Sequence, residues 1–200
     1  MVQRVRGSLA GLDDEESRSL RPIGMSVRQA ATLTGALLDR LAGTPGVVLF
    51  AGVRVTKRTP RIGFAVSTAT HLLLVESVAW PSGAYSLTPQ GQVLCDGTYI
   101  GQSVQTLLGS VRQLRRVARR RHVGAVVVVH PSGSGTPALP AGPAWLPPAE
   151  AGARIANRLR LRRRENTFCP NDINSWYAHP HRPSLSPEGP PWCVSGSPST

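Results

Sequence analysis

The most continuous hydrophobic pattern in the chain begins at residue 71. The apolar run 71–75 has the length and aliphatic content of a strand that is buried on both faces. Glu76 follows it directly, and two short alternating segments come next, separated by turn residues at 89–91. The pattern predicts a buried strand that ends in a carboxylate and leads into a hairpin.

Two other segments repeat their apolar residues at helical spacing. The first covers 27–42, with Ser26 as its N-cap and Gly43 beyond its end. The second covers 102–121 and places six arginines mostly opposite its apolar residues. Both segments are predicted to be amphipathic helices that pack one face against a core.

Short β-rich runs occupy much of the remaining central part, at 47–53, 62–66 and 124–130. The last run is apolar almost throughout and follows a helix, which implies a crossover connection into a second buried strand. The predicted fold class is α/β, with a small mixed β-sheet flanked by the two helices.

The ends of the chain differ in composition from this core. An acidic cluster with few large apolar residues precedes it, and a Pro/Gly/Ser-rich stretch follows it. That stretch is expected to be ordered only if Leu139, Trp145 and Leu146 dock onto the core. After about residue 150 the composition changes so abruptly that a reading-frame artefact is a further hypothesis. The predicted segments are a flexible leader at 1–25, an α/β domain at 26–131, a linker at 132–148, a basic helix at 149–164 and a disordered tail at 165–200.

The charge balance favours polyanionic partners. The net charge is +12 and the isoelectric point is near 11.4, so the surface should attract nucleic acid before an anionic membrane. The arginines of the second helix are predicted to contact phosphates, although they could also serve solubility alone. The residues assigned to this contact are Arg112, Arg116, Arg119 and Arg120.

Cysteine and histidine spacing gives no support to a metal or disulfide site. Three cysteines lack framework or CxxC spacing, and the histidines near two of them match no compact zinc motif. No apolar stretch is long enough to span a bilayer, and no apolar segment follows the N-terminal arginines. The prediction is a cytoplasmic protein without a membrane partner, a bound metal or a cofactor.

Three motifs occur in a characteristic order: LLLVESVAWPSGAY, then QVLCDGTYIGQSV before the long helix, then VVVVHP. With the flanking elements, this order resembles the NERD family, the nuclease-related domain of the restriction-endonuclease-like superfamily, in a degenerate form found in high-GC bacteria. The resemblance covers roughly residues 27–131. It implies a nuclease-type α/β scaffold.

The resemblance also implies a divalent-metal site, of which this chain keeps one position in four. In this superfamily a buried strand ends in a (D/E)xK triplet; here Glu76 supplies the carboxylate, but Val78 replaces the lysine. Counting back without gaps places the family's Asp-His pair at Gly63 and Phe64, and its helical acid falls near 29–31, where no carboxylate occurs. The resemblance therefore implies a catalytically degenerate member.

Three functions remain open from the sequence. The leading hypothesis is a degenerate nuclease-related protein with weak, sequence-independent nucleic-acid binding or a scaffold role. The second is a nuclease that uses Mg²⁺ with Glu76, Asp96 and a relocated third ligand. The third is a protein-interaction module that does not bind nucleic acid. Glu76 also has a structural interpretation, in which it pairs with an arginine or accepts backbone hydrogen bonds at the strand end, because an unpaired buried carboxylate is costly.

Overall fold

A computed structural model describes residues 5–14, 18–142 and 144–161 of the chain. In these ranges the helices are α1 (Val27–Ala42), α2 (Gln105–Val117) and α3 (Pro148–Arg158). The strands are β1 (Val5–Gly7), β2 (Val48–Val53), β3 (Ile62–Ser67), β4 (His71–Trp80), β5 (Gly83–Leu87), β6 (Gln92–Cys95), β7 (Thr98–Ser103), β8 (His122–Pro131), β9 (Pro137–Ala138) and β10 (Trp145–Leu146).

The described strands form two mixed sheets. The larger sheet has six strands in the order β1-β2-β3-β4-β8-β10, and the smaller has four in the order β7-β6-β5-β9. The predicted α/β class with a mixed sheet and flanking helices is therefore confirmed. The predicted hairpin forms strands β5 and β6, at the centre of the smaller sheet.

Strand β4 lies at the centre of the larger sheet, where it pairs antiparallel with β3 and parallel with β8. The β4–β8 register runs over the full ten residues of both strands, from His71 opposite His122 to Trp80 opposite Pro131. Because side chains alternate along a strand, Leu73 and Val75 face one apolar cluster, whereas Leu74 and Val78 face the other. Helices α1 and α3 contribute to the first cluster and α2 to the second.

Helix α1 has the predicted bounds, and its start is fixed by a capping box. The Ser26 hydroxyl accepts a hydrogen bond from the Gln29 backbone N–H, and the Gln29 side chain accepts one from the Ser26 N–H. Helix α2 is shorter than the predicted 102–121. Residues 102–103, which were predicted to be helical, belong to strand β7. The helix ends at Val117, so Arg119 and Arg120 lie beyond it.

The predicted flexible leader is wrong for the described residues among 1–25. Strand β1 pairs with β2 in parallel, and Leu12, Arg18 and Leu20 are buried. Glycines permit this close pairing: a Cβ on Gly52 would lie 2.0 Å from the Ser8 carbonyl oxygen. The low content of large apolar residues gave the wrong prediction here, because a few buried side chains are enough to dock a short segment on the core.

The boundary predicted at residue 131 is also wrong. Trp145 and Leu146 form β10 against β8 and are only 6% and 1% exposed, so the Pro/Gly/Ser-rich segment does dock on the core. Helix α3 follows, with Ile155 fully buried in the cluster beside α1. It ends at Arg158, before the most basic part of the predicted helix 149–164. The predicted disordered tail, 165–200, lies outside the described residues.

Within the described ranges, no helix combines the length and the apolar character needed to cross a membrane.

Ile155→Ala tests whether α3 belongs to the folded core. The variant removes a fully buried side chain, so the free energy of unfolding should fall by about 2–5 kcal/mol in a denaturant titration. The matched control is the neighbouring Arg154→Ala, because Arg154 is exposed and forms an exposed ion pair with Glu150 four residues away. The control should change stability by less than about 0.5 kcal/mol. Equal effects in the two variants would mean that α3 does not contribute to the core.

Candidate functional site

The sequence pattern predicted that Glu76 ends its strand. In the structure β4 continues to Trp80, so Glu76 lies in the middle of the strand. Its side chain is on the α2 side of the sheet, and the residue is only 5% exposed. Arg18 Nη1 donates a hydrogen bond of 2.9 Å to Glu76 Oε1, and Arg18 is 6% exposed. The carboxylate is thus held in a buried ion pair, as the structural interpretation of Glu76 anticipated.

Backbone groups complete the surroundings of this pair. The Ser77 N–H donates to Glu76 Oε1 at 3.2 Å, and the Gly63 backbone N–H is close enough to the carboxylate to favour its charged form. Arg18 Nη2 in turn donates to the Arg61 carbonyl oxygen. Burial raises the pKa of Glu76 above its ordinary value, while the Arg18 guanidinium and the two backbone N–H groups oppose this rise.

Sequence reasoning did not identify Arg18 as the partner of Glu76. A buried carboxylate signals that a cation must be close, but it does not say which one. Arg18 is 58 residues away in sequence and belongs to a segment with few apolar residues. Only the docking of that segment brings the two side chains together.

Position 63 lies directly beside the carboxylate. A Cβ on Gly63 would be 3.7 Å from Glu76 Oε1, so a side chain here would contact it. Phe64, the next residue, is buried in the cluster on the opposite face. Val78 shares the α2-facing cluster and is fully buried. The resemblance implies metal-site groups at positions 63, 64 and 78, which lie on β3 and β4. These positions hold Gly63, Phe64 and Val78, which cannot bind a metal ion.

The residues around Glu76 do not fit a divalent metal. Mg²⁺ requires near-octahedral oxygen ligands, whereas this carboxylate is taken up by a guanidinium and backbone N–H donors. In the described part of the chain, no three His, Cys, Asp or Glu side chains are grouped so that they could hold a metal ion. Helix α1 packs on the other face of β4, so its residues 29–31 are remote from this carboxylate.

Asp96 is placed in a turn of the smaller sheet. It adopts a left-handed backbone conformation (φ 50°), and its Oδ1 accepts a hydrogen bond of 2.8 Å from the Ala84 N–H. Its other carboxylate oxygen lies 3.7 Å from Cys95 Sγ. No described contact joins Asp96 to Glu76. The two carboxylates proposed as a shared catalytic pair are therefore not brought together, because Asp96 serves its turn.

A narrow cleft opens beside the ion pair. It has room for about one water molecule. Arg18 Nε is buried there and makes no hydrogen bond to any described group. A cleft this small admits water and excludes a nucleotide. Its walls include Leu20, Ile62, Leu107 and Ser110.

A second polar cluster lies on the α1 face of β4. The Ser77 hydroxyl donates to Thr34 Oγ1 at 2.8 Å, and Thr34 Oγ1 is 2.8 Å from His130 Nε2. All three residues are at most 1% exposed, and burial lowers the pKa of His130 to about 4. His130 is therefore neutral at pH 7. With no access to solvent, this Ser-Thr-His cluster links α1 to β4 and β8 and does not resemble a reaction centre.

The predicted phosphate contacts, Arg112, Arg116, Arg119 and Arg120, form what we call the arginine ridge. All four are exposed. Arg119 Nε donates to the Arg116 carbonyl oxygen at 3.4 Å, and the ridge makes no ion pair with any described acidic residue. Two neighbouring arginines instead hold the sheet: Arg115 donates to the Val123 carbonyl oxygen and Arg121 to Ser67 Oγ.

Comparison with protein-family models, with curated proteins and with solved structures finds no match to this chain. The resemblance to the NERD family accordingly remains a hypothesis drawn from the residues.

Arg18→Ala tests the buried ion pair. Removing the guanidinium leaves the Glu76 carboxylate buried without a cation, so the free energy of unfolding should fall by about 3–5 kcal/mol at pH 7. The variant has a raised Glu76 pKa in the folded state, so the folded protein gains a proton that the unfolded chain does not hold. Stability relative to wild type should therefore recover as the pH falls toward 5.

Two controls accompany this denaturant measurement. Arg28→Ala removes an exposed arginine and should change stability by less than about 0.5 kcal/mol. The double variant Arg18→Met, Glu76→Leu removes both charges and should regain most of the lost stability. A loss in Arg18→Ala that does not depend on pH would argue against a stranded carboxylate.

Proposed function

We propose that this protein is a catalytically degenerate nuclease-related protein that binds nucleic acid weakly and without sequence preference. The arginine ridge carries this proposal. Its four side chains are exposed cations that pair with no described acidic residue. They repel one another at close spacing, and a polyanion relieves that repulsion.

None of the six acidic residues in the described ranges forms an ion pair with the ridge. Glu76 pairs with Arg18, Glu150 with Arg154, and Asp96 holds its turn. Asp13 accepts a hydrogen bond from the Arg28 N–H at the start of α1. The ridge therefore has no acidic partner among the described residues, which supports contact with an external polyanion.

The proposed loss of catalytic activity is supported by the groups that surround the Glu76 carboxylate. Arg18 contributes the positive charge that a divalent ion would otherwise supply, and Gly63 has no side chain at a position whose Cβ would lie 3.7 Å from Glu76 Oε1. Neither group activates water. The scaffold would therefore persist without the chemistry that the family resemblance implies.

Binding through such a ridge has a definite physical character. Arginines that contact phosphates fix the protein on the backbone but carry no sequence information. The affinity should be that of non-specific binding, about 10⁻⁴–10⁻⁶ M at physiological salt, and should weaken steeply as salt rises.

Replacing the ridge tests this function. The variant Arg112→Ala, Arg116→Ala, Arg119→Ala, Arg120→Ala should bind a labelled duplex more weakly in a fluorescence-anisotropy titration. If all four arginines contact phosphates, the slope of log K against log salt should lose up to about 3.6 in magnitude. Reduced binding should be equal for unrelated sequences, because no base contact is removed.

The matched control removes the same charge from other exposed positions, in the variant Arg28→Ala, Lys57→Ala, Arg58→Ala, Arg154→Ala. It should retain most of the affinity and of the salt slope if the ridge is the contact surface. Absence of binding by the wild type at low salt would contradict the proposal and favour a protein-interaction module. An equal loss of affinity in both variants would show that net charge, and not the ridge as a contact surface, determines binding.

A cleavage assay tests the degenerate site. Plasmid and single-stranded DNA incubated with Mg²⁺ or Mn²⁺ should show no cutting above an EDTA control, because Arg18 holds the carboxylate. Glu76→Gln is the companion variant, since its carbonyl oxygen can still accept from Arg18. Metal-dependent cutting that Glu76→Gln abolishes would show that a nuclease with relocated ligands is the correct reading.

A further inference from the structure

A second cleft lies at the edge of the larger sheet where the parallel strands β4 and β8 begin. His71 and His122 face each other across these strands, with ring centroids 5.1 Å apart. Leu73, Leu159 and the half-buried Arg158 complete the walls. The cleft has a volume of about 180 Å³. This is the space of several water molecules, which is sufficient for a phosphate group.

The polar side chains of this cleft are nitrogen donors. Arg158 donates to the Ala125 carbonyl oxygen at 3.2 Å, which fixes its guanidinium against β8. The Thr70 hydroxyl lies 2.8 Å from His71 Nδ1, so the other ring nitrogen of His71 is left for a ligand. No aspartate or glutamate lines the cleft among the described residues. The lining therefore favours an anion over a metal ion.

Arg160 adds a further cation beside the cleft. Burial, His122 and Arg160 together lower the pKa of His71, which places Arg160 within electrostatic reach of the imidazole. Arg160 has a left-handed backbone conformation, with φ at 51° and its N–H bonded to the Asn157 carbonyl oxygen. Glycine is the usual residue at such a helix end, because other residues are strained there. An arginine held in a strained conformation at this point is consistent with a role for its side chain.

We infer that the cleft formed by His71, His122 and Arg158, with the charge of Arg160 nearby, binds a phosphate group. The two imidazoles and the Arg158 guanidinium offer N–H groups that can donate to phosphate oxygens, and arginine matches phosphate in a bidentate geometry. The phosphate belongs either to the end of a nucleic-acid strand or to a small phosphorylated molecule. The cleft shares no residue with the arginine ridge, so this site stands apart from the proposed function.

Inorganic phosphate is the first probe, added to the full chain at pH 7 while NMR signals of the histidine rings are followed. Those of His71 and His122 should shift to saturation. Sodium chloride at the same ionic strength should not reproduce the shift. Arg160→Gly removes the cation and also relieves the backbone strain, so it should keep or raise the melting temperature while weakening phosphate binding about tenfold.

His122→Ala should weaken binding by a similar factor, whereas Lys57→Ala, which removes an exposed charge elsewhere, should leave it unchanged. The four-fold ridge variant should also bind phosphate as the wild type does. Identical shifts in chloride, or unchanged affinity in both Arg160→Gly and His122→Ala, would overturn the inference.

Two oligonucleotides of one sequence, with and without a 5′-phosphate, identify the source of the phosphate. Tighter binding of the phosphorylated strand that Arg160→Gly removes would assign the cleft to strand ends. Phosphate binding with no preference between the strands would assign it to a small phosphorylated molecule.

Discussion

The buried pairing of Arg18 with Glu76 is the contact on which much of the described structure depends. It neutralises a carboxylate at the centre of the longest strand pair, and it anchors the N-terminal segment to that strand. The same guanidinium reaches the Arg61 carbonyl oxygen before β3, so three separate stretches of chain meet at one side chain. Losing either charge would strand the other in a medium of low polarity, where solvation is lost and not replaced.

Strand β4 presents a different polar group to each of its two faces. Glu76 faces α2 and is satisfied by Arg18, whereas Ser77 faces α1 and is bonded to Thr34. His130 extends the second cluster from the neighbouring strand. Both groups are enclosed and hydrogen-bonded, which is how a core tolerates polar side chains. Polar residues at the middle of this sheet therefore specify packing between elements and offer no open reaction centre.

Positive charge is distributed in the opposite way, at the surface. The arginine ridge lies along and just beyond α2, and Arg121 beside it reaches Ser67 at the end of β3. The cleft of His71 and His122 lies at the same edge of the sheet, where β8 begins immediately after Arg121. In the described residues the cations of the ridge are exposed and form no ion pair with an acidic residue, which suits this surface electrostatically to anionic partners.

Periodicity in the sequence determined the elements that bury continuous apolar patterns. Helix α1 was predictable because its apolar residues repeat at helical spacing, and the paired strands β4 and β8 because each contains a continuous apolar run. The exposed position of Arg112 and Arg116 followed from the same helical spacing. Short elements gave no such signal: β1 and β10 have three and two residues, and each pairs with one strand of the larger sheet.

The role of Glu76 was decided by tertiary structure. Sequence limited it to two outcomes, a metal ligand or a paired structural carboxylate, because a buried charge must be compensated. The choice depended on Arg18, whose distance along the chain hides its proximity in space. Asp96 likewise remains in its turn because the hairpin pairs within a second sheet. Local pattern thus determined which segments are helices and strands, whereas the partners of each charge depended on long-range packing, which no local pattern encodes.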